Sequence, residues 1–289
     1  MKTRVITSVV GLVLLAAVMV FYETIWFNLV FLAVCVIAIH ELYVAYGFTN
    51  KQLYVFFGCI VMAAIVMLSD NEIVVHWVRP AAYLFVLFLA LCVVIKFGNV
   101  DFAKLSGMVI FSGVVVFCFY SFIQLKTLLP KAEYGFDATY FVILILAYAW
   151  GGDTCAYFAG RAFGKRKLAP KVSPKKTVAG AVGGVFGSMV IGLLVTIIYV
   201  QLVGRFLGFE RVRMTYYVLV CAMGAVASVL GIIGDLFASA VKRQCGIKDF
   251  GTIFPGHGGI LDRFDSVLLV APFVTFIVTM LFYNLRLSG

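Results

Sequence analysis

Charged residues and glycines concentrate near the end of this chain, within residues 239–265. Only 12% of the whole sequence is charged. This segment nevertheless contains a Pro-Gly-His-Gly-Gly turn at Pro255–Gly259 and seven charged side chains: Lys242, Arg243, Lys248, Asp249, Asp262, Arg263 and Asp265. Glycines let a backbone approach an oxyanion, cations neutralise phosphate, and carboxylates hold divalent metal ions. The combination predicts phosphoryl chemistry.

A second charged segment lies upstream, within residues 151–180. Asp153 lies near the end of an apolar stretch, where an unpaired carboxylate costs about 2.5–3.5 kcal/mol. It therefore needs a partner: either an ion pair with Arg161 or Lys165, or a metal or nucleotide site, which we favour. The stretch Ser173–Thr177 adds Lys175 and Lys176, and its Thr177 can cap the helix that follows.

Three further carboxylates extend the candidate site. Asp235 follows an almost uninterrupted apolar run, so a compensating ion is expected there. Asp262 and Asp265 are three residues apart and would share a helix face; a helix cap explains either singly but not the whole set. His257 lies between glycines, which favours loop shaping or hydrogen bonding to phosphate over general-base catalysis. For His40 and Glu41, toward the end of an apolar run, we expect an interfacial cap or a helix–helix contact.

These residue types suit the reaction of a lipid phosphate with a nucleoside triphosphate. The nucleophile is already an anion, so the difficulty is to bring two polyanions together, which metal ions and cationic side chains accomplish. The sequence has no convincing Ser/His/Asp triad and no GxxxxGK[ST] phosphate-binding loop.

The elements that must position these residues are membrane-spanning helices. Hydrophobic residues make up 64% of the 289 residues, and the apolar runs reach the ~20 residues that a span requires. They lack the alternation of a β-barrel. We predict an all-α, polytopic membrane protein with about nine spans: Val5–Phe21, Ile25–Tyr46, Leu53–Leu68, Val78–Ile95, Ser106–Ile123, Ala138–Phe158, Val178–Val200, Tyr216–Gly234 and Ser266–Leu285.

Charge placement predicts the orientation. With the N-terminus in the cytoplasm, 16 of the 23 Lys and Arg residues fall on the cytoplasmic side, as the positive-inside rule expects. The first span has no small-residue cleavage site, which favours a retained helix over a signal peptide. The net charge of +10 thus requires no nucleic-acid partner, and the scattered cysteines support neither a zinc site nor a disulfide framework.

The sequence divides into two regions by character. Residues 1–137 hold about five spans with few internal charges, whereas residues 138–289 hold about four spans and two basic cytoplasmic loops. The glycines between Gly180 and Gly192 favour close helix packing over a phosphate loop, because no lysine completes such a loop.

The C-terminal motif resembles that of the phosphatidate cytidylyltransferase (CDP-diacylglycerol synthase) family. The family pattern S-x-x-K-R-x4-K-D, followed by P-G-H-G-G-x-x-D-R-x-D, is met here by Ser239, Lys242, Arg243, Lys248, Asp249, Pro255–Gly259, Asp262, Arg263 and Asp265. The upstream segment is also similar to the family at Asp153, Ala156, Tyr157, Gly160, Arg161, Gly164, Lys165 and Ser173–Thr177. The resemblance covers roughly the C-terminal half.

The resemblance implies that CTP and phosphatidic acid react to give CDP-diacylglycerol and pyrophosphate. It implies Mg²⁺, with room for a second, monovalent cation such as K⁺, and a homodimer in the cytoplasmic (plasma) membrane whose active site faces the cytoplasm. It makes Asp235 and Asp262 the leading metal ligands. Further metal candidates are Asp153, Asp249 and Asp265, and the catalytic set comprises Asp235, Asp262, Lys248, Asp249 and Arg263. The expected substrate-binding residues are Arg161, Lys165, Ser173, Lys175, Lys176, Thr177, Lys242, Arg243, His257, Gly258 and Gly259.

Two positions depart from the family pattern. Ala179 stands where relatives commonly have Glu or Gln, and Ala238 stands where Glu is frequent. These departures motivate the hypothesis of a catalytically impaired relative. Two further hypotheses compete with the leading one: nucleotidyl transfer to a different lipid phosphate, and a transporter. A transporter would instead spread its charges across membrane depth or repeat its motifs in two halves.

Overall fold

The fold is that of a helical membrane protein. The computed structural model describes residues 11–287 except 12, 96, 99–100, 204–213 and 255–257. It divides into two compact units, residues 1–123 with 244–263 and residues 124–243 with 264–289. These units group residues by contact, whereas the division at residue 137 follows the distribution of charge along the sequence. That division therefore stays a prediction.

The first unit is built from apolar helices. They are α1 (Ile25–Ala45), α2 (Leu53–Met67, preceded by the 3₁₀ turn Asn50–Gln52), α3 (Glu72–Val75), α4 (Val78–Ile95) and α5 (Phe102–Leu128), whose last turn, from Gln124, is assigned to the second unit. Helix α1 packs on α2, and α2 packs on α4. Aromatic rings, among them Phe27, Phe31 and Phe119, form much of the core.

The second unit contains the remaining long helices and a small hairpin. Its elements are α6 (Lys131–Tyr134), α7 (Asp137–Leu146), a π-helical turn (Ala147–Gly151), α8 (Gly152–Phe163), β1 (Lys167–Ala169), β2 (Ser173–Thr177), α9 (Val178–Val203) and α10 (Met214–Gln244). The short helix α11 (Leu261–Phe264) crosses the boundary between the units and leads to α12 (Val267–Leu287).

Membrane-spanning helices agree closely with the sequence prediction. Within the described residues, seven helices are long and apolar enough to cross a bilayer, and α12 contributes a shorter apolar stretch at Val267–Leu281. These eight match the predicted spans from Ile25 onward, and Val78–Ile95 agrees at both ends. The first predicted span, Val5–Phe21, lies only partly within the described residues, so the count of nine and the cytoplasmic N-terminus remain predictions.

Small residues allow α8 and α9 to pack closely, as the glycine-rich stretch predicts. Side-chain atoms added at Gly180 would lie 2.8 Å from the Ala156 carbonyl oxygen, and at Gly184 only 3.2 Å from that of Gly152. In a membrane, burial of apolar surface supplies little force between helices, so close packing of the two backbones is what holds them together. The contact fixes the helix that carries Asp153.

Candidate functional site

The basic loop between α8 and α9 folds into the antiparallel hairpin β1–β2, an element that the sequence analysis did not predict. Lys167 pairs with Thr177 and Ala169 with Ser173, with an irregularity between them. Successive strand residues face opposite sides, so Lys175 is exposed while Lys176 is half-buried. The predicted cap is confirmed, because the Gly180 N–H donates to Thr177 Oγ1 at 3.1 Å.

One face of α10 supplies the centre of a charge cluster. Asp235, Ser239 and Lys242 are spaced by four and three residues, which places them on the same side of the helix. Ser239 Oγ donates to Asp235 Oδ1 at 3.1 Å, and Lys176 Nζ on the hairpin lies 2.6 Å from Asp235 Oδ2. Both carboxylate oxygens of Asp235 therefore have a partner.

Asp153 joins this cluster from α8. Its carboxylate is hydrogen-bonded to the Ser266 side chain and lies within electrostatic range of Asp235 and Lys176. Lys176 is thus a cation acting on Asp153. Arg161 and Lys165, the ion-pair partners that the sequence also allowed, are both exposed.

A π-helical turn immediately precedes the helix that carries Asp153. The turn Ala147–Gly151 adds a residue to the helical ladder, a feature common at functional sites. Its Tyr148 makes two buried hydrogen bonds. Ser188 Oγ donates to the Tyr148 carbonyl at 3.0 Å, and the Tyr148 hydroxyl donates to the Val220 carbonyl at 2.7 Å. These bonds fix the backbone just before the helix that carries the carboxylate.

Asp265 is the third carboxylate of the cluster. Lys242 Nζ lies 4.0 Å from Asp265 Oδ2, and the Ser266 N–H donates to Asp265 Oδ1 at 2.9 Å. Burial, with the Asp235 carboxylate as the second cause, raises the pKa of the Asp265 carboxyl to about 7 against the opposing influence of Lys242. Gly234 permits the approach, since a side chain there would begin 2.6 Å from the Asp265 carbonyl oxygen.

We call these five residues, Asp153, Lys176, Asp235, Lys242 and Asp265, the charge cluster. It sets three carboxylates against two ammonium groups, so a bound cation would complete its neutralisation. In the part of the chain that the structure describes, no three acidic, histidine or cysteine side chains are spaced to enclose a metal ion by themselves. The oxygen-only donors nevertheless suit Mg²⁺, which is usually held by one or two carboxylates and keeps several waters.

The remaining predicted residues of the second unit are more exposed than Lys242, which is buried. Ser173 is half-buried in β2, and the exposed members of the set are Arg161, Lys165, Lys175 and Arg243. Exposed cations can bind a solvated phosphate but contribute little to the buried arrangement.

Asp262 belongs to the first unit, where it organises the segment 250–262. Its Oδ2 accepts the N–H groups of Phe250 at 2.8 Å and Gly259 at 2.9 Å, and a β-bridge joins Phe254 to Gly258. Gly258 has a φ of +86°, a conformation that only glycine adopts readily. Lys248, Asp249 and Arg263 are exposed on or beside this segment, and the prediction for His257 lies outside the described residues.

Glu41 binds the same segment, and the sequence did not predict this role. Its Oε1 accepts the Ile260 N–H at 2.9 Å and its Oε2 accepts the Leu261 N–H at 3.0 Å. The expected interfacial cap or helix–helix contact is therefore a bond to a loop some 220 residues away. An acidic residue within an apolar helix was the available signal, but nothing in the sequence identifies its partner.

Similarity to known proteins agrees with the motifs. The family model described as the cytidylyltransferase family matches residues 2–281. A phosphatidate cytidylyltransferase of Bacillus subtilis (strain 168) is 38% identical over 204 residues, 69% of this chain and 67% of the relative. One from Rickettsia bellii (strain RML369-C) is 29% identical over 217 residues, 75% of this chain and 88% of the relative. The chain therefore belongs to the cytidylyltransferase family.

Proposed function

We propose that this protein transfers cytidine monophosphate from CTP to phosphatidic acid, giving CDP-diacylglycerol and pyrophosphate. The family match and relatives named phosphatidate cytidylyltransferase support the proposal. The observation that carries it at the level of chemistry is the charge cluster, where Lys176, Asp235 and Asp265 meet at the end of apolar helices.

In the proposed reaction, a phosphate oxygen of phosphatidic acid attacks the α-phosphorus of CTP. A new P–O bond forms, the bond from the α-phosphorus to the bridging oxygen breaks, and pyrophosphate leaves with that electron pair. The attacking oxygen is anionic, so no general base is needed, and the barrier lies in placing two polyanions in line.

Different residues of the charge cluster would bind the phosphates and the metal ion that bring the two polyanions together. Lys176 and Lys242 would pair with phosphate oxygens, and Ser239 would keep the Asp235 carboxylate oriented. Asp235, with Asp265 or Asp153, would hold Mg²⁺, which supplies charge neutralisation to the triphosphate when bound. Asp262 and Asp249 remain predicted metal ligands, and K⁺ remains a prediction.

The cytoplasmic side is the proposed location of the site. The two segments richest in Lys and Arg, residues 161–176 and 242–263, contain eleven of the 23 cations, and such loops are retained on the inner side of a membrane. A single cysteine introduced by Lys248→Cys, in a Cys245→Ser background, should react with an impermeant maleimide only in inside-out vesicles. A homodimer is proposed from the resemblance alone, and cross-linking in native membranes tests it.

The direct test is an assay of the full-length protein purified in detergent. With radiolabelled CTP, phosphatidic acid and Mg²⁺, we expect a labelled lipid of the mobility of CDP-diacylglycerol. ATP, GTP and UTP should give about 100-fold less product, and EDTA should stop the reaction. Faster transfer to a polyprenyl phosphate than to phosphatidic acid would favour a different lipid acceptor, and the absence of any labelled lipid would refute the proposal.

A further inference from the structure

We infer that Glu41 is a positioning residue for the reaction, because it holds the backbone that carries Asp262 and Arg263. The inference rests on the proposed function for its kinetic consequences, whereas the contact itself is a feature of the first unit. Glu41 lies on α1, and the segment that it binds lies near the other end of the sequence.

The carboxylate of Glu41 is fully engaged by this segment. The side chain is only 4% exposed, and its two oxygens accept the consecutive N–H groups of Ile260 and Leu261. Gly251 and Gly259 lie against the same carboxylate, where a side chain on either would collide with it. The fit leaves no space for a side chain at these two positions of the loop while Glu41 occupies its present place.

Glu41 and Asp262 secure the same turn from different directions. Asp262 Oδ2 accepts the Gly259 N–H, and Glu41 accepts the next two N–H groups along the chain. Together the two carboxylates bind three consecutive backbone amides immediately before Asp262 and Arg263. Without Glu41, two buried amides would lose their acceptors, and Asp262 would be the one carboxylate of this pair still bound to the turn.

A carboxylate is needed because two separate donors must be accepted. Gln at position 41 retains one carbonyl oxygen, and its amide group would face the second N–H as a donor against a donor. Glu41→Gln therefore preserves shape and volume while breaking one of the two bonds. The chain then retains its fold, and the 259–262 turn gains freedom.

Asn28 offers a matched control on the same helix. It is fully buried, and its Nδ2 donates to the Met67 carbonyl at 3.0 Å and to Asp70 Oδ1 at 2.8 Å. Like Glu41 it joins α1 to a distant backbone group, but it does so far from the 250–262 segment along the helix. Asn28→Ala removes a buried polar contact of similar kind without touching that segment.

The test combines amide hydrogen exchange with steady-state kinetics on the full-length protein in detergent. In Glu41→Gln, peptides covering 250–264 should exchange at least about tenfold faster. The kcat should fall about 100-fold, because a small displacement of reacting groups is costly. The KM for CTP should change less than about threefold, since Lys176 and Lys242, which we propose to pair with the phosphates, lie outside this segment. Asn28→Ala should leave both the exchange of this segment and kcat within about twofold of wild type, even if its Tm falls.

Three results would overturn the inference. One is a faster-exchanging segment with unchanged kcat, the second is a loss of kcat without faster exchange, and the third is an equal loss of kcat in Asn28→Ala. If the wild type made no CDP-diacylglycerol, the proposed function would fail instead, and the exchange comparison would still decide whether Glu41 holds the segment.

Discussion

The two units of the molecule use their carboxylates in opposite ways: Glu41 and Asp262 of the first unit are buried, whereas the carboxylates of the charge cluster in the second are half-buried. In the first, Glu41 and Asp262 each accept two backbone N–H groups, so the backbone of the loop that they hold stabilises their negative charge. In the second, Asp153, Asp235 and Asp265 face lysines and one another. Carboxylates bonded to amides are satisfied by the protein itself, whereas three carboxylates sharing two lysines leave charge for a cation and a substrate to balance.

This contrast makes Asp262 the most informative residue to change. Its carboxylate has a structural use in the first unit, yet the family resemblance also predicts that it is a metal ligand. Asp262→Asn retains an oxygen that can accept the Phe250 and Gly259 N–H groups but removes the negative charge. We expect activity to fall by about 10³-fold or more, as for loss of a principal electrostatic group, while the protein stays inserted and folded.

Hydrogen exchange of peptides covering 250–264 separates the two roles of Asp262. Unchanged exchange with lost activity would assign the effect to charge, and Asp262→Ala should add faster exchange to the same loss. Wild-type turnover in Asp262→Asn would show that this residue is not a metal ligand and that its role is to hold the loop.

The second prediction compares neighbouring lysines on one strand. Lys176 contacts Asp235, whereas Lys175 faces the opposite side of β2 and is exposed. We expect Lys176→Met to lower kcat/KM for CTP about 100-fold, because it removes a cation from a partly buried charge network. Lys175→Met, of equal size and charge change, should cost about threefold or less and lose its effect at high salt. Equal losses would mean that the two faces of the hairpin do not differ in function.

The sequence predicted the spans well because each span is a local property. A run of about 20 apolar residues is sufficient for a membrane helix, and helix ends such as Val78 and Val178 were recovered directly. The Thr177 cap was likewise readable, since a cap and its helix are adjacent. All five members of the charge cluster could be named from the sequence, because charged residues at the ends of apolar runs are rare enough to stand out.

The features that could not be predicted from the sequence either join distant residues or leave only a weak local signal. Glu41 binds Ile260 and Leu261, some 220 residues away, and no local pattern joins them. The hairpin β1–β2 was also missed: its strands are short, rich in lysine and interrupted by Pro174, which is a weak strand signal. Nor does periodicity reveal the π-helical turn at Ala147–Gly151, whose residues continue the apolar run.

The third prediction concerns stability in the absence of metal. The raised pKa of Asp265 means that the folded protein holds a proton that the unfolded chain releases at lower pH. Stability is therefore lost as pH rises from the ordinary aspartate value towards about 7. Asp265→Asn should raise the Tm of the EDTA-treated protein by several degrees at pH 8 and change it little at pH 4.

Added Mg²⁺ provides the control for this third prediction. It should stabilise the wild type at pH 8, since a ligand that binds only the folded state raises Tm, and it should stabilise Asp265→Asn much less. An Asn variant that is less stable than wild type at pH 8 would show that Lys242 already neutralises Asp265.

The smallest expected effect belongs to Ser239, which touches the charge cluster without contributing charge. Its hydroxyl donates to Asp235 Oδ1 at 3.1 Å and orients the carboxylate that we propose as a metal ligand. Removing such a supporting bond typically weakens metal affinity at least about tenfold. We expect Ser239→Ala to raise the Mg²⁺ concentration for half-maximal activity about tenfold, with kcat at saturating Mg²⁺ near that of wild type. A lower kcat with an unchanged Mg²⁺ requirement would instead make Ser239 a contact of the substrate, and the carboxylates of the second unit would then be held by Lys176 and Lys242 alone.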